Sequence, residues 1–206
     1  MGIPVLILGE SGSGKSSSLR NFDPAEIGIF NVAGKPLPFR KKLKKIDHAD
    51  YKKIMQVLSQ PKLNTYVIDD SQYLLTFEMF GRAKESGYQK FTDMALNFYQ
   101  LLQFIIQKTP EDCIVYFLHH TQTDDGGRTK AKTVGRMLDE KLTLEGLFSI
   151  VLMAECDSGQ YYFRTRNSGS DTVKSPMGMF AEDRIDNDLK AADAVIRAYW
   201  KDESED

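Results

Sequence analysis

With 206 residues, 41% of them hydrophobic and 27% charged, the chain has the size and composition of one globular domain with a full core. Its 27 basic and 29 acidic side chains give a formal net charge of −2, which excludes a surface that is basic throughout and confines any nucleic-acid contact to local clusters. Cys113 and Cys156 lie in apolar runs without C-x-x-C spacing, so neither a zinc site nor a disulfide framework is expected. No apolar run reaches membrane-spanning length, and a cytoplasmic protein is expected.

The first element is the apolar strand Val5–Leu8, which runs into Gly9-Glu10-Ser11-Gly12-Ser13-Gly14-Lys15-Ser16-Ser17. Gly9, Gly14, Lys15 and Ser16 satisfy G-x-x-x-x-G-K-[ST], the phosphate-binding loop. Its glycines let successive backbone N–H groups converge on phosphate oxygens. Lys15 supplies a point charge for the β- and γ-phosphates and the Ser16 hydroxyl is placed for Mg²⁺. A helix over 15–22 is expected to follow, with its positive end at the phosphates. ATP and Mg²⁺ are the expected ligands.

A second strand is expected at 27–32, then a loop with Gly34, Pro36 and Pro38, then Arg40–Lys45 with five cations in six residues. The spacing of Tyr51, Ile54, Val57 and Leu58 predicts a helix over 47–59. Thr65–Asp70 reads as an apolar strand ending in two acids, which is what a Mg²⁺-nucleotide site needs beside the phosphate loop. Asp69 is the expected metal-side acid and Asp70 the residue that orients water; a one-residue slip would put Asp70 on the metal. Helices are expected at 71–86 and 90–108, split by Gly87.

The strand 112–118 ends in His119-His120-Thr121-Gln122. In P-loop ATPases with a strand inserted between the two nucleotide motifs, a polar residue here senses the γ-phosphate; any of these four could point inward, with His120, Thr121 and Gln122 the leading candidates. A polar loop then spans 123–136, with Arg128, Lys130, Lys132 and Arg136 as cations for a nucleic-acid backbone. A short helix near 137–144 leads to a strand over 148–155, a turn at 156–159 and a strand over 160–166, together a hairpin. Arg164 and Arg166, two apart on that strand, share a face and with Lys174 are candidates for cations reaching a neighbouring subunit's phosphates. A helix over 187–200 closes a single domain over 1–200, with an acidic tail at 201–206. The pattern predicts an α/β fold, a mainly parallel sheet covered on both sides, with a C-terminal β-hairpin extension.

Taken in order, the phosphate loop, Asn31-Val-Ala-Gly-Lys-Pro-Leu-Pro38, Val67-Ile-Asp-Asp70, His119-His-Thr121, Arg166-Asn-Ser-Gly-Ser-Asp-Thr-Val-Lys174 and Asn187-Asp-Leu189 resemble the phage-encoded, AAA-type RecA-like P-loop ATPases associated with single-strand annealing and recombination. The resemblance implies a RecA-like core, ATP and Mg²⁺, single-stranded DNA at mobile loops and a homo-oligomeric ring or filament. A single-strand DNA-binding protein is a candidate working partner. One departure stands out. RecA proteins carry a catalytic Glu just beyond the strand that follows the phosphate-loop helix, where this chain has Val32-Ala33-Gly34. Hydrolysis would then depend on Asp70 or be slow. Two other readings share the same loop: a regulatory ATP switch or loading factor without DNA contact, and a small-molecule kinase.

Overall fold

The computed structural model describes residues 1–134 and 143–202. In chain order its strands are β1 (Ile3–Gly9), β2 (Ile27–Asn31), β3 (Lys45–Asp47), β4 (Thr65–Asp69), β5 (Ile114–Thr123), β6 (Thr129–Ala131), β7 (Ile150–Asp157), β8 (Gln160–Arg164) and β9 (Arg184–Asp186). The α-helices among the described residues are α1 (Tyr51–Leu58), α2 (Gln72–Gly81), α3 (Gln89–Lys108) and α4 (Leu189–Asp202). One sheet joins the strands in the order β3-β2-β4-β5-β1-β7-β8-β9, with β6 paired to the far end of β5. From β3 to β7 all neighbours are parallel, whereas β8, β9 and β6 add antiparallel pairs.

Parallel central strands are buried on both faces, which is why they read as continuous apolar runs. Val5, Leu6, Ile7 and Leu8 of β1 are all fully buried. Leu6 and Leu8 pack with Phe117 of β5, with Ile54 and Leu58 of α1, and with Phe98, Leu101 and Ile105 of α3. Val5 and Ile7 face the other side, where Leu19 and the α4 residues Leu189, Ala192 and Ile196 cover the sheet. Burying a side chain of this size is worth about 1.5–3 kcal/mol, so the two apolar layers hold the strand ends in place around the phosphate loop. Asp50 starts α1 by accepting from the Lys53 N–H at 2.8 Å, the expected N-cap chemistry.

Several elements differ from the sequence reading. The segment after the phosphate loop is a 3-10 turn over Ser16–Asn21, not an α-helix over 15–22. Three consecutive serines favour this, because their hydroxyls compete for backbone groups; Ser18 Oγ donates to the Lys15 carbonyl at 2.6 Å. The helix expected at 47–59 begins only at Tyr51, and Lys45–Asp47 is instead the edge strand β3, its charges suiting an exposed edge. Strand β5 runs on to Thr123, so the expected loop at 123–136 opens as a β-hairpin. Asp124 Oδ1 closes its turn by accepting from the N–H groups of Gly126 (3.0 Å) and Arg128 (2.9 Å).

Strand β8 stops at Arg164. Arg166 therefore lies beyond it, and the two arginines do not share a strand face. The expected β7–β8 hairpin is present, but β7 runs through Asp157, so the turn is two residues rather than 156–159: Ser158 and Gly159 both have positive φ, 52° and 81°, the geometry that matches strand twist. Of the helix expected near 137–144, residues 137–142 lie outside the described residues and Leu144 opens a 3-10 turn over Leu144–Leu147. Helix α4 runs on through Asp202, into the tail expected at 201–206, and residues 203–206 lie outside the described residues. No described helix is long and apolar enough to cross a membrane.

Candidate nucleotide-binding site

The carboxyl ends of β1, β5 and β4 lie side by side and bring the two nucleotide motifs together. Gly9 closes β1 opposite His120 of β5, and Asp69 closes β4, the strand beyond β5. Ser16 Oγ reaches across and donates to Asp69 Oδ1 at 2.8 Å. That bond links the phosphate loop to the acid-ended strand over 53 residues of sequence. Between them sits β5, the strand that carries the two histidines.

The loop is shaped around its backbone. A methyl group on Gly9 would lie 2.7 Å from the Ala154 carbonyl, so only glycine fits there. Gly14 has φ of +92°, a conformation glycine adopts at little cost. Lys15 is 6% exposed, and its Nζ donates to the carbonyls of Gly9 and Glu10, each at 2.7 Å. Burial lowers the Lys15 pKa to about 8, against the opposing pull of Asp70 and Asp69. The ammonium therefore keeps its charge at neutral pH. Ser13 Oγ is buried without a hydrogen-bond partner among the described residues.

The two acids behave differently although adjacent. Asp69 is 7% exposed, and burial, reinforced by the charge of Asp70, raises its pKa to about 6 despite the Ser16 hydrogen bond. Asp70 turns out of the strand with φ of 57°, a left-handed conformation Asp tolerates better than most residues. The Ser71 N–H holds that turn by donating to the Leu118 carbonyl at 2.8 Å. Asp70 Oδ2 pairs with Lys35 Nζ at 2.9 Å, and Oδ1 lies 3.2 Å from His120 Nε2. Burial would raise the Asp70 pKa, but these bonds outweigh it and hold it at about 2.

Strand β5 places its two histidines in different surroundings. His119 is fully buried; its Nε2 lies 2.8 Å from the Lys132 carbonyl and its Nδ1 2.8 Å from Ser71 Oγ. The carbonyl can only accept, so Nε2 carries the proton and Nδ1 accepts from Ser71. Burial drives the His119 pKa down to about 4. Because that lies below the unfolded value of about 6.5, the neutral ring stabilises the fold above that pH, and the contribution is lost as pH falls toward 4. Relative to wild type, His119→Gln is expected to gain roughly 3 kcal/mol between pH 7 and 4. Urea unfolding of both proteins across that range checks it, and parallel pH profiles would contradict it. His120 is the histidine at the acids, while Thr121 lines a cleft of about 650 Å³ with Glu10, Ser13, Arg164 and Asp171. Gln122 pairs with Lys130 in the β5–β6 hairpin.

The expected cations are placed as follows. Arg128 and Lys132 are exposed on the hairpin and Lys130 is half-buried; Arg136 lies outside the described residues. Arg128 Nη2 donates to the Asp171 carbonyl at 3.3 Å. Arg164 is taken up internally by Glu155 (2.8 Å) and Asp171 (2.6 Å), and Arg166 pairs with Asp183 at 2.6 Å. Lys174 bridges to Val151 through its backbone. Lys35 has no assigned role in the sequence reading: it sits in the Gly-Lys-Pro-Leu-Pro loop, whose approach to Asp70 spans 35 residues.

Among the described residues no group of three or more His, Cys, Asp and Glu is placed to hold a metal ion. Ser16 and Asp69 form a smaller donor set, suited to Mg²⁺, which keeps waters and shares substrate phosphates. A scan against family models finds no match, and a search of the curated proteins finds no significant one. The fold and site define an α/β protein with a phosphate-loop motif at the carboxyl edge of a mainly parallel sheet.

Proposed function

We propose that the chain is a RecA-like P-loop protein that binds ATP with Mg²⁺, hydrolyses it slowly, and works on single-stranded DNA in phage recombination as a homo-oligomer. The observation that carries the nucleotide reading is the 2.8 Å bond from Ser16 to Asp69, which sets a metal-side hydroxyl and acid together beside the loop. The glycine-dependent backbone, the charged Lys15 and the buried Ser13 hydroxyl fit a polyphosphate. Bound Mg²⁺ would neutralise charge on the β- and γ-phosphate oxygens. Lys15 would orient those oxygens, Ser16 and Asp69 would hold the metal side, and His120 with Asp70 would face the terminal phosphate. Arg128 and Lys132 offer exposed charge to a DNA backbone.

A second reading, a regulatory switch without DNA contact, draws on the state of Asp70. With both oxygens engaged and a pKa of about 2, it is a weak general base. Slow turnover follows in either reading. ATP turnover measured with and without single-stranded DNA, together with a salt titration of DNA binding, separates them. The recombination reading expects salt-sensitive binding that weakens about tenfold in Arg128→Ala/Lys132→Ala, consistent with the loss of two phosphate contacts. Absence of DNA binding in every nucleotide state would leave the switch.

A further inference from the structure

Asn187 stands between β9 and α4 with a polar atom that the fold does not use. It is 2% exposed, and its Nδ2 has no hydrogen-bond partner among the described residues. Its position is fixed from the other side. Arg20 Nη1 donates to the Asn187 carbonyl at 2.6 Å and to its Oδ1 at 3.4 Å, and Asn21 Nδ2 donates to Asp188 at 2.7 Å. Leaving a buried amide nitrogen without an acceptor is unfavourable, and such exceptions call for a specific explanation.

The amide lies against the phosphate loop. A methyl group built on Gly14 would sit 3.2 Å from Asn187 Nδ2 and 2.8 Å from the ring of Tyr161. Tyr161 belongs to β8, whose neighbour Tyr162 pairs with Asp186 of β9, so the ring and the amide reach the loop from adjacent strands. Tyr161 is 49% exposed, a large aromatic surface left open beside a glycine. An aromatic face and a donor therefore flank one point of the loop.

Strand order says which part of a nucleotide meets them. Ser16 and Asp69 place the metal and terminal phosphates toward β4, on one side of β1. Tyr161 and Asn187 approach from β8 and β9, on the opposite side. With the phosphates along the loop and the metal toward β4, the side facing β8 and β9 is left for the sugar and base. We propose that Tyr161 and Asn187 form a purine-base subsite, the ring stacking on the base and Asn187 Nδ2 donating to a ring nitrogen. A purine offers both the broad π-face and the ring acceptors this pair requires. The subsite rests on the nucleotide reading above.

Binding of MgATP and of magnesium tripolyphosphate, which has no base, tests the assignment by calorimetry on wild type, Tyr161→Ala and Tyr161→Phe. Base–aromatic stacking predicts about tenfold weaker ATP binding in Tyr161→Ala, with tripolyphosphate unchanged and Tyr161→Phe close to wild type. Asn187→Ser should weaken ATP and spare tripolyphosphate in the same way. Equal losses for both ligands, or unchanged ATP affinity in Tyr161→Ala, would overturn the subsite while leaving the phosphate loop intact. Wild-type protein that bound neither ligand would overturn both.

Discussion

Lys15→Ala is expected to weaken MgATP binding by at least about a hundredfold while the chain still folds. Each hydrogen bond from a charged donor is worth roughly 1.5–3 kcal/mol, and losing two such bonds to phosphate oxygens amounts to about two decades in Kd. The side chain is buried at the mouth of the loop against the Gly9 and Glu10 carbonyls and is not part of either apolar layer. The sheet should survive its removal. Because burial holds the Lys15 pKa at about 8, wild-type affinity should also decline as pH rises through 8 and the ammonium discharges. Calorimetric titration with circular dichroism on the same samples checks both statements. A folded Lys15→Ala protein that bound ATP as wild type does would show that the phosphates are held elsewhere.

Asp171→Ala should be the most destabilising exchange outside the apolar core. Asp171 is 2% exposed and accepts from Arg164 Nη1 (2.6 Å), Ser168 Oγ (2.5 Å) and the N–H groups of Ser168 (3.2 Å) and Val173 (2.9 Å). Burial opposes its ionisation, yet these bonds win and keep its pKa below the ordinary carboxylate value. Removing one partner of a buried pair costs about 3–5 kcal/mol, or roughly 6–20 °C in Tm for a chain of this size. The same residue joins functional segments. Its carbonyl accepts from Arg128, and the neighbouring Ser170 carbonyl accepts from the Thr129 N–H at 2.9 Å, so the β5–β6 hairpin is tied to β8 and the cleft beside the phosphate loop. Thermal unfolding of Asp171→Ala beside Asp171→Asn measures the effect. Asn can keep the acceptor but not the charge, and is expected to fall between; a shift under about 2 °C for Ala would contradict the hub.

What could be read from the residues alone follows the strength of local signals. The apolar strands Val5–Leu8 and Thr65–Asp69 are plain because both faces are buried, and the phosphate loop is plain because its glycines and Lys-Ser stand at fixed spacing. Strands β3 and β9 were hidden, since Lys45-Ile46-Asp47 and Arg184-Ile185-Asp186 are short, charged edge segments whose pairing comes from the sheet. The β5–β6 hairpin had a signal, Asp124-Asp125-Gly126-Gly127, that was outweighed by the polarity of the flanking residues. In the site, the acids and His120 were legible because they follow directly on the apolar runs of β4 and β5. Lys35 and Asn187 were not, each reaching the site from a separate loop, over 35 residues for the Lys35–Asp70 pair; Ser71 follows Asp70 directly, but its bond to His119 spans 48 residues. Long-range approaches of that kind leave no periodicity to read.

Equilibrium dialysis of MgATP against the unmodified protein tests the central claim most directly. One ATP bound per chain, lost when magnesium tripolyphosphate is added in excess, is the predicted result. No retention of ATP at millimolar concentration, or retention that tripolyphosphate leaves untouched, would contradict a phosphate site at Gly9–Ser16.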